Sequence, residues 1–287
     1  MSFSRETGAR HYWNNLVVGS SPEHVEQVGH PDMGTEFNRL AYDLRLNALV
    51  RALQKSACFP PPNSIFEAAF GVGHYLKFWQ SQHCRGVVGV DLSAQACKNA
   101  QRHFPEFDLR EGDLAEINQW EDWLELVHSF AVVTAIDVIY HLIEDEAACR
   151  AVRNVAQLVA PKGILVLTDK FVQSPYPVQE VPGHVMRRCL DWYTALLETQ
   201  GLVLESTTPV FWCMDPPSRH DEQSLATTLA YVVWGMMRTG IKFWPHNGRV
   251  QNFFGKSLGT IGKVLDHVIV PGLHNTSNLT LAVFRKN

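Results

Sequence analysis

The sequence has no long hydrophobic run and no surplus of basic residues. Its longest apolar stretch, 225–237, is interrupted by Thr227 and Thr228 and is shorter than the roughly 20 residues that a membrane-spanning helix needs. The 25 Lys and Arg residues are outnumbered by 29 Asp and Glu, which gives a net charge of -4 and argues against a protein that binds nucleic-acid phosphates. The composition therefore predicts no membrane span and no nucleic-acid partner.

Secretion and disulfide signals are also missing. The first ten residues lack the apolar core of a signal peptide, and the six cysteines never form a C-x-x-C pair. In a chain of 287 residues, six scattered cysteines favour reduced thiols over a disulfide framework. We therefore expect a cytoplasmic protein, long enough for one α/β domain with an elaboration.

The stretch 64–74 is the most informative part of the chain. An apolar run ends at Glu67, and a turn containing Gly71 and Gly73 follows before a helix begins. Glycine permits positive φ and a close approach of the backbone to a ligand, so this strand, turn and helix are typical of a nucleotide-like binding site. A nicotinamide cofactor is the alternative, but its G-x-G-x-x-G pattern needs glycine where the chain has Leu76.

Apolar strands alternate with helical segments over much of the chain. After the first strand, further strands are predicted at 86–91, 107–111, 130–136, 164–168, 202–207 and 279–284, and helices at 35–53, 74–82, 93–103, 144–159, 187–200, 218–240 and 258–270. Asp91 ends the second strand, 18 residues after Gly73, where doubly wound nucleotide folds place a carboxylate that binds ribose hydroxyls. We expect Asp91 to bind ribose, with helix capping as the alternative.

Four phrases of the sequence, taken in order, resemble the motifs of class I S-adenosylmethionine-dependent methyltransferases. The segment 67–73 is similar to motif I, with Ala69 in the place of its first glycine. The segments 89–93 (Gly-Val-Asp-Leu-Ser), 112–114 (Gly-Asp-Leu) and 137–142 (Asp-Val-Ile-Tyr-His-Leu) are similar to the second, third and fourth motifs.

The resemblance covers residues 60–170 well and implies an α/β fold. That fold is a Rossmann-like seven-stranded sheet whose last strand is antiparallel, with helices on both faces and a helical lid insertion. It divides the chain into an N-terminal helical cap and lead-in helix (1–59), a core that binds S-adenosylmethionine (60–210 with 276–287), and a helical lid that binds the acceptor (211–275).

The resemblance also implies S-adenosyl-L-methionine as the cofactor. The acidic residue of motif I, here Glu67, would support its methionine part, and the motif I turn would lie beneath it. Asp113 would accept a hydrogen bond from the adenine amino group, and the backbone amide of Leu114 would donate one to the ring. The residues expected at the cofactor are Trp13, Glu67, Ala69, Gly71, Gly73, Asp91, Leu92, Asp113, Leu114 and Ile136.

Two histidines are candidates for the base that takes a proton from the acceptor. His141 follows the fourth strand at the carboxyl edge of the sheet, and the unperturbed histidine pKa of about 6.5 suits this role. His184 lies in the loop after the fifth strand, which should face the acceptor. Asp137 and Asp169 offer oxygens for Mg²⁺, but strand-end carboxylates more often serve as caps, so Mg²⁺ is not favoured and no metal site is assigned.

The insertion carries an aromatic set that includes Trp212, Tyr231, Trp234 and Phe253. It predicts a bulky, partly apolar small-molecule acceptor, with a homodimer interface as the alternative. We predict O-methylation of a hydroxyl group in secondary metabolism or on a glycosyl-type molecule. The alternatives are N- or C-methylation, a nicotinamide-dependent oxidoreductase, which the absence of a Tyr-x-x-x-Lys pair disfavours, and a non-catalytic cofactor-binding protein, for which Ala69 is the hint.

Overall fold

The computed structural model describes residues 5–17, 19, 21–180, 185–218, 224–246, 248–273 and 278–287. In these ranges the helices are α1 (Arg5–Leu16), α2 (Gly34–Lys55), α3 (His74–Ser81), α4 (Ala94–His103), α5 (Trp123–Leu126), α6 (Asp145–Leu158), α7 (Leu190–Glu198), α8 (Leu225–Lys242) and α9 (Arg249–Ile269). The strands are β1 (Ile65–Ala68), β2 (Val87–Asp91), β3 (Asp108–Glu111), β4 (Phe130–Ala135), β5 (Val159–Asp169), β6 (Val178–Glu180), β7 (Val185–Arg187), β8 (Leu202–Pro209) and β9 (Thr280–Lys286).

Seven strands form one sheet in the order β3-β2-β1-β4-β5-β9-β8. β1 to β5 pair in parallel, whereas β9 lies antiparallel between β5 and β8. This confirms the predicted Rossmann-like sheet with an antiparallel last strand. The strand order reverses between β1 and β4, which is the switch point where open α/β sheets leave a crevice for ligands.

The central strands are apolar along their whole length because helices cover the sheet. Val133 and Leu165 of the central strands are fully buried in one cluster with Ala147, Ala151 and Val155 of α6. These three α6 residues recur at spacings of four and form the apolar side of an amphipathic helix. The same periodicity that predicts α6 from the sequence therefore packs it against the sheet.

At two helix starts, the cap predicted from the sequence can be compared with the cap in the structure. Ser93, the first residue of the helix predicted at 93–103, caps α4, because its hydroxyl accepts a hydrogen bond from the Ala96 amide at 3.1 Å. The spacing of Ser218 and Asp221 predicts a capping box at the start of the helix 218–240, but this position is wrong. α8 begins later, with Ser224 accepting a hydrogen bond from the Thr227 amide at 3.1 Å. Asp221 itself lies outside the described residues.

α9 begins at Arg249, earlier than the predicted start at 258. Its glycines are weak helix formers, which hides the helix in the sequence. In the structure Gly255 and Gly259 are buried where α9 packs on α2, and a Cβ at Gly259 would lie 2.9 Å from Leu40 Cδ1. Close packing of two helices therefore explains residues that read locally as helix breakers.

Candidate active site

The carboxyl ends of the parallel strands open into one cavity of about 470 Å³. Nine residues predicted from the sequence lie on its wall: Trp13, Ala69, Gly71, Asp91, Leu92, Asp113, Leu114, Ile136 and His141. Residues from four strand ends and from α1 thus meet at one place. Their contact with a cofactor stays a prediction.

The turn after β1 has the backbone that the glycine phrase requires. Gly71 and Gly73 have φ of 54° and 88°, and Ala69 has φ of 56°. An L-residue in this left-handed region costs roughly 1–2 kcal/mol relative to the right-handed one, which is why glycine is preferred there. Ala69 therefore adopts a backbone conformation that glycine favours.

Asp91 connects two strand ends at the cavity. Its Oδ2 accepts a hydrogen bond from the Gly71 amide at 2.7 Å, and its Oδ1 accepts one from the Ser93 amide at 2.8 Å. Burial raises the pKa of Asp91 to about 6 in spite of these two donors. The Asp91 carboxylate thus holds the turn after β1 in place, and Asp91 also lines the cavity.

Glu67 and Gly73 lie behind the wall. The Glu67 carboxylate accepts hydrogen bonds from Trp79 Nε1 at 2.7 Å and from Thr134 Oγ1 at 2.6 Å, and burial raises its pKa to about 7. A Cβ at Gly73 would lie 2.9 Å from the ring of Phe104. The structure gives Glu67 a supporting position under the turn, so a direct contact with the methionine part is not supported by its placement.

Side-chain hydrogen bonds hold the third strand end in place. Asp113 Oδ1 accepts from the Ala115 amide at 2.9 Å, and Asn154 Nδ2 donates to the Leu114 carbonyl at 2.9 Å. Asp113 and Leu114, the pair expected at adenine, therefore reach the cavity on a fixed turn.

His141 lies on the wall beside Trp13. Their ring centroids are 5.0 Å apart, with the rings inclined at 75°. The two predicted residues therefore meet, although they come from α1 and from the end of β4. His184 lies outside the described residues, and its role stays a prediction.

A histidine that the sequence reasoning missed lies on the same wall. His30 Nε2 is 2.7 Å from Asp215 Oδ1, and Lys170 Nζ is 3.1 Å from Asp215 Oδ2. Burial alone would raise the pKa of Asp215, but Lys170 and His30 outweigh it and hold that pKa well below its usual range. The carboxylate is therefore charged at neutral pH.

His30 is held rigidly. Its amide donates to Asn38 Oδ1 at 2.7 Å, its carbonyl accepts from Asn38 Nδ2 at 2.8 Å, and its ring centroid lies 4.9 Å from that of Trp234. His30 and Asp215 are 185 positions apart, and neither belongs to a motif. No local pattern in the sequence could have paired them.

Comparison with known proteins gives the family of the core. Residues 66–165 match a family model described as a methyltransferase domain. Residues 66–165 therefore form a methyltransferase domain, with the fold of the class I S-adenosylmethionine-dependent enzymes. No protein with a curated description matches the chain.

Several solved structures resemble this methyltransferase. One from Galdieria sulphuraria, described as a candidate sarcosine dimethylglycine methyltransferase, is 15% identical, with a TM-score of 0.49 over 83% of this chain and 84% of that one. The N-methyltransferase NodS from Bradyrhizobium japonicum, in complex with S-adenosyl-L-homocysteine, is 13% identical, with a TM-score of 0.45 over 82% and 84%. An S-adenosylmethionine-dependent methyltransferase from Mesorhizobium loti is 14% identical, with a TM-score of 0.44 over 78% and 90%.

The wall of the methyltransferase cavity fits a polar cofactor. The Tyr75 hydroxyl, His74 Nε2 and Gln27 Oε1 are buried and have no hydrogen-bond partner among the residues that the structure describes, and all three residues line the cavity. Buried polar groups are nearly always hydrogen-bonded, so these atoms suit a ligand with its own donors and acceptors. Burial lowers the pKa of His74 to about 4, so its ring is neutral at pH 7 and can either donate or accept.

The two carboxylates considered for Mg²⁺ are engaged by arginines. Arg45 Nε donates to Asp137 Oδ2 at 2.7 Å, and Arg187 pairs with Asp169 at 3.2 Å. The Tyr193 hydroxyl also donates to Asp169 at 2.8 Å. Among the residues that the structure describes, no group of three His, Cys, Asp or Glu side chains is arranged to hold a metal ion.

Proposed function

We propose that this methyltransferase moves a methyl group from S-adenosylmethionine to a hydroxyl oxygen of a small or mid-sized, partly apolar molecule, such as a natural product or a glycosyl-type acceptor. The observation that carries the proposal is that Asp91 and Asp113 share one cavity with the His30–Asp215 pair. The two strand-end carboxylates would bind the methyl donor, and the His30–Asp215 pair would take a proton from the acceptor. A volume of about 470 Å³ lies within the range of about 300–1,000 Å³ usual for small-molecule sites.

The donor half of the cavity follows the strand ends. Asp91 would hold the ribose hydroxyls, Asp113 and the Leu114 amide the adenine, and the turn at Gly71 the methionine part. When bound, S-adenosylmethionine supplies an electrophilic methyl group. The protein contributes by holding donor and acceptor in line, which is worth a large part of the barrier in a displacement.

His30 is equipped to take the proton that a hydroxyl acceptor must lose. Asp215 binds Nε2, and no hydrogen bond to Nδ1 occurs among the described residues. The charged Asp215 would fix the tautomer with a free Nδ1 lone pair and stabilise the imidazolium that forms. His141 is the second candidate base on the wall. An amine acceptor can lose its proton without such a base, so the pair favours oxygen.

Turnover with an acceptor panel tests the proposal. The purified protein is incubated with S-adenosylmethionine and phenols, sugars or amines, and the S-adenosylhomocysteine formed is measured. We expect turnover with hydroxyl acceptors. Turnover with amines alone would replace oxygen by nitrogen, and binding without turnover across the panel would favour a non-catalytic protein. Tryptophan fluorescence that responds to a nicotinamide cofactor, and not to S-adenosylhomocysteine, would favour the oxidoreductase.

Asp91→Ala tests the donor site without an acceptor. Loss of the carboxylate removes the expected ribose contact and the hydrogen bond to the Gly71 amide, so the affinity for S-adenosylhomocysteine should fall roughly tenfold or more. Calorimetry measures the affinity, and circular dichroism checks that the fold persists. Glu121→Ala, an exposed position outside the cavity wall, is the control. An unchanged affinity in Asp91→Ala would remove the ribose assignment.

A further inference from the structure

The outward side of α8 carries a continuous apolar stripe. Leu225, Leu229, Val232, Met236 and Phe243 are all exposed, Phe243 by 80%. Their spacings of four, three, four and seven residues place them on one side of the helix. The residues buried on the opposite side are Ala230, Trp234, Met237 and Ile241.

α9 repeats the pattern with Val250, Phe253, Ile261, Val264 and Val268, which are all exposed. α8 and α9 pack against each other, so both stripes belong to one helical hairpin. We call these ten side chains the hairpin face. Exposed apolar side chains grouped in this way mark interaction surfaces.

Four aromatic rings gather where α8 leads into α9. Trp244 stacks on Phe254 with centroids 5.2 Å apart, and Phe243 and Phe253 contact this pair at 5.4 and 5.6 Å. Phe253 is 66% exposed, so both outer rings point away from the cluster into solvent. Phe, Trp and Leu side chains are typical of the apolar side of helices that lie in a membrane interface.

The hairpin is basic in an acidic chain. Residues 224–273 contain five Lys and Arg and a single acidic residue, the buried Asp266, whereas the whole chain has 25 against 29. Arg249 and Lys256 are exposed on α9, and neither has an ion-pair partner in the described part of the chain. The other three basic side chains of the hairpin pair with Asp32 or Asp43, so Arg249 and Lys256 supply the cationic flank of its apolar face.

We infer that the hairpin face docks on the surface of an anionic lipid bilayer. Helices with an apolar side and a basic flank lie in the plane of the membrane interface, where burial of apolar side chains and attraction to anionic headgroups act together. Within the described ranges, no helix is long and apolar enough to cross a bilayer.

A second copy of this chain is the competing occupant of the hairpin face. A two-fold dimer pairs a surface with itself, so it would put Arg249 and Lys256 of both copies into one interface, to which the hairpin face brings no acidic side chain. Like charges in such an interface repel, whereas an anionic headgroup layer attracts them. The charge therefore favours lipid.

The inner side of the same helix reaches the cavity. Trp234 of α8 contacts His30 on the wall, with ring centroids 4.9 Å apart. Docking would thus place the methyltransferase site one helix away from the bilayer. The docking itself does not depend on the proposed methyl transfer.

Vesicle sedimentation tests the inference with the full chain. The probes are phosphatidylcholine vesicles with and without phosphatidylglycerol. We expect the protein to sediment with the anionic vesicles and to be released by salt, which screens the basic flank. Phe243→Ser with Phe253→Ser, and separately Arg249→Glu with Lys256→Glu, should weaken binding roughly tenfold or more. Leu124→Ser, at a side chain 87% exposed in α5, is the matched control and should bind normally.

Two results would overturn the inference. One is failure of the wild-type protein to sediment with anionic vesicles. The other is binding that the Phe243 and Phe253 variants keep. Analytical ultracentrifugation without vesicles separates the alternatives, because a dimer that the same variants dissociate would assign the hairpin face to a second copy.

Discussion

At the scale of single residues, His30 carries the hypothesis of proton removal. His30→Asn should lower kcat for a hydroxyl acceptor by about 10²- to 10⁴-fold, the usual contribution of a general base, while the affinity for S-adenosylhomocysteine stays the same. Initial rates and calorimetry measure the two quantities. His83→Asn, an exposed histidine outside the cavity wall, is the control. A normal rate in His30→Asn together with a lost rate in His141→Asn would move the base to His141.

Glu67 makes the stability of the protein depend on pH. Burial raises its pKa to about 7 from an ordinary 4.5, so the folded chain holds this proton more tightly than the unfolded chain. Its contribution to stability is complete below about pH 4.5 and is lost as the pH rises to about 7. A glutamine at this position can still accept the hydrogen bonds of Trp79 and Thr134 without carrying a charge.

Glu67→Gln should therefore be more stable than the wild type at pH 8, by about 2–3 kcal/mol, and equal to it near pH 4.5. Urea denaturation at the two pH values gives the free energies of unfolding. Glu121→Gln, at an exposed side chain, should show no such difference. A Glu67→Gln effect of the same size at both pH values would mean that the folded carboxylate titrates normally.

Some residues of the candidate site lie in short sequence motifs that predict them, and others come together only in the folded chain. Gly71, Asp91 and Asp113 each lie in a short phrase next to a strand end, so the sequence predicts their place. His30 and Asp215 meet only because α2, the sheet and the segment after β8 fold together, and a separation of 185 positions leaves no pattern. For Glu67 the motif gives the position along the chain, but it does not determine whether the side chain faces the cavity or the core.

At the scale of elements, β1 to β5 and the helices α3, α4 and α6 follow from the spacing of their apolar residues, whereas the four-residue α5 is not predicted. β6 and β7 are not predicted either, since three residues each are too few to show alternation. The predicted helix at 258–270 lacks the first nine residues of α9, where Gly255 lowers the helix propensity. Tertiary packing on α2 and α8 outweighs that propensity, and packing is not visible in a local window.

Two glycines test this account of the hairpin. A Cβ at Gly235, within α8, would have no neighbour within 4 Å, so Gly235→Ala should raise the free energy of unfolding by about 1 kcal/mol. A Cβ at Gly262, within α9, would lie 2.4 Å from Met214 Sδ and 2.9 Å from Met237 Sδ. Gly262→Ala should therefore lower the free energy of unfolding, by about 1–3 kcal/mol. Urea denaturation of both variants gives the signs, and stabilisation by Gly262→Ala would contradict the observed packing of α9.

At the scale of the whole molecule, the cavity joins distant parts of the chain. Trp13 comes from α1, Arg45 from α2, Asp91 from the core, and Asp215 from the segment after β8. The cavity wall therefore contains residues from all three predicted parts of the chain, the cap, the core and the lid.

Donor binding should consequently protect segments beyond the core. At a concentration of S-adenosylhomocysteine a hundredfold above its Kd, the free energy of unfolding should rise by about 2.7 kcal/mol, which a shift in Tm reports. Amide hydrogen exchange should slow in α1 as well as in the turn at 69–73, because Trp13 and Gly71 line the same cavity. Slower exchange in the turn with no change in α1 would contradict a wall that includes Trp13. Asp91→Ala should show a smaller shift at the same concentration, since less of the variant is bound.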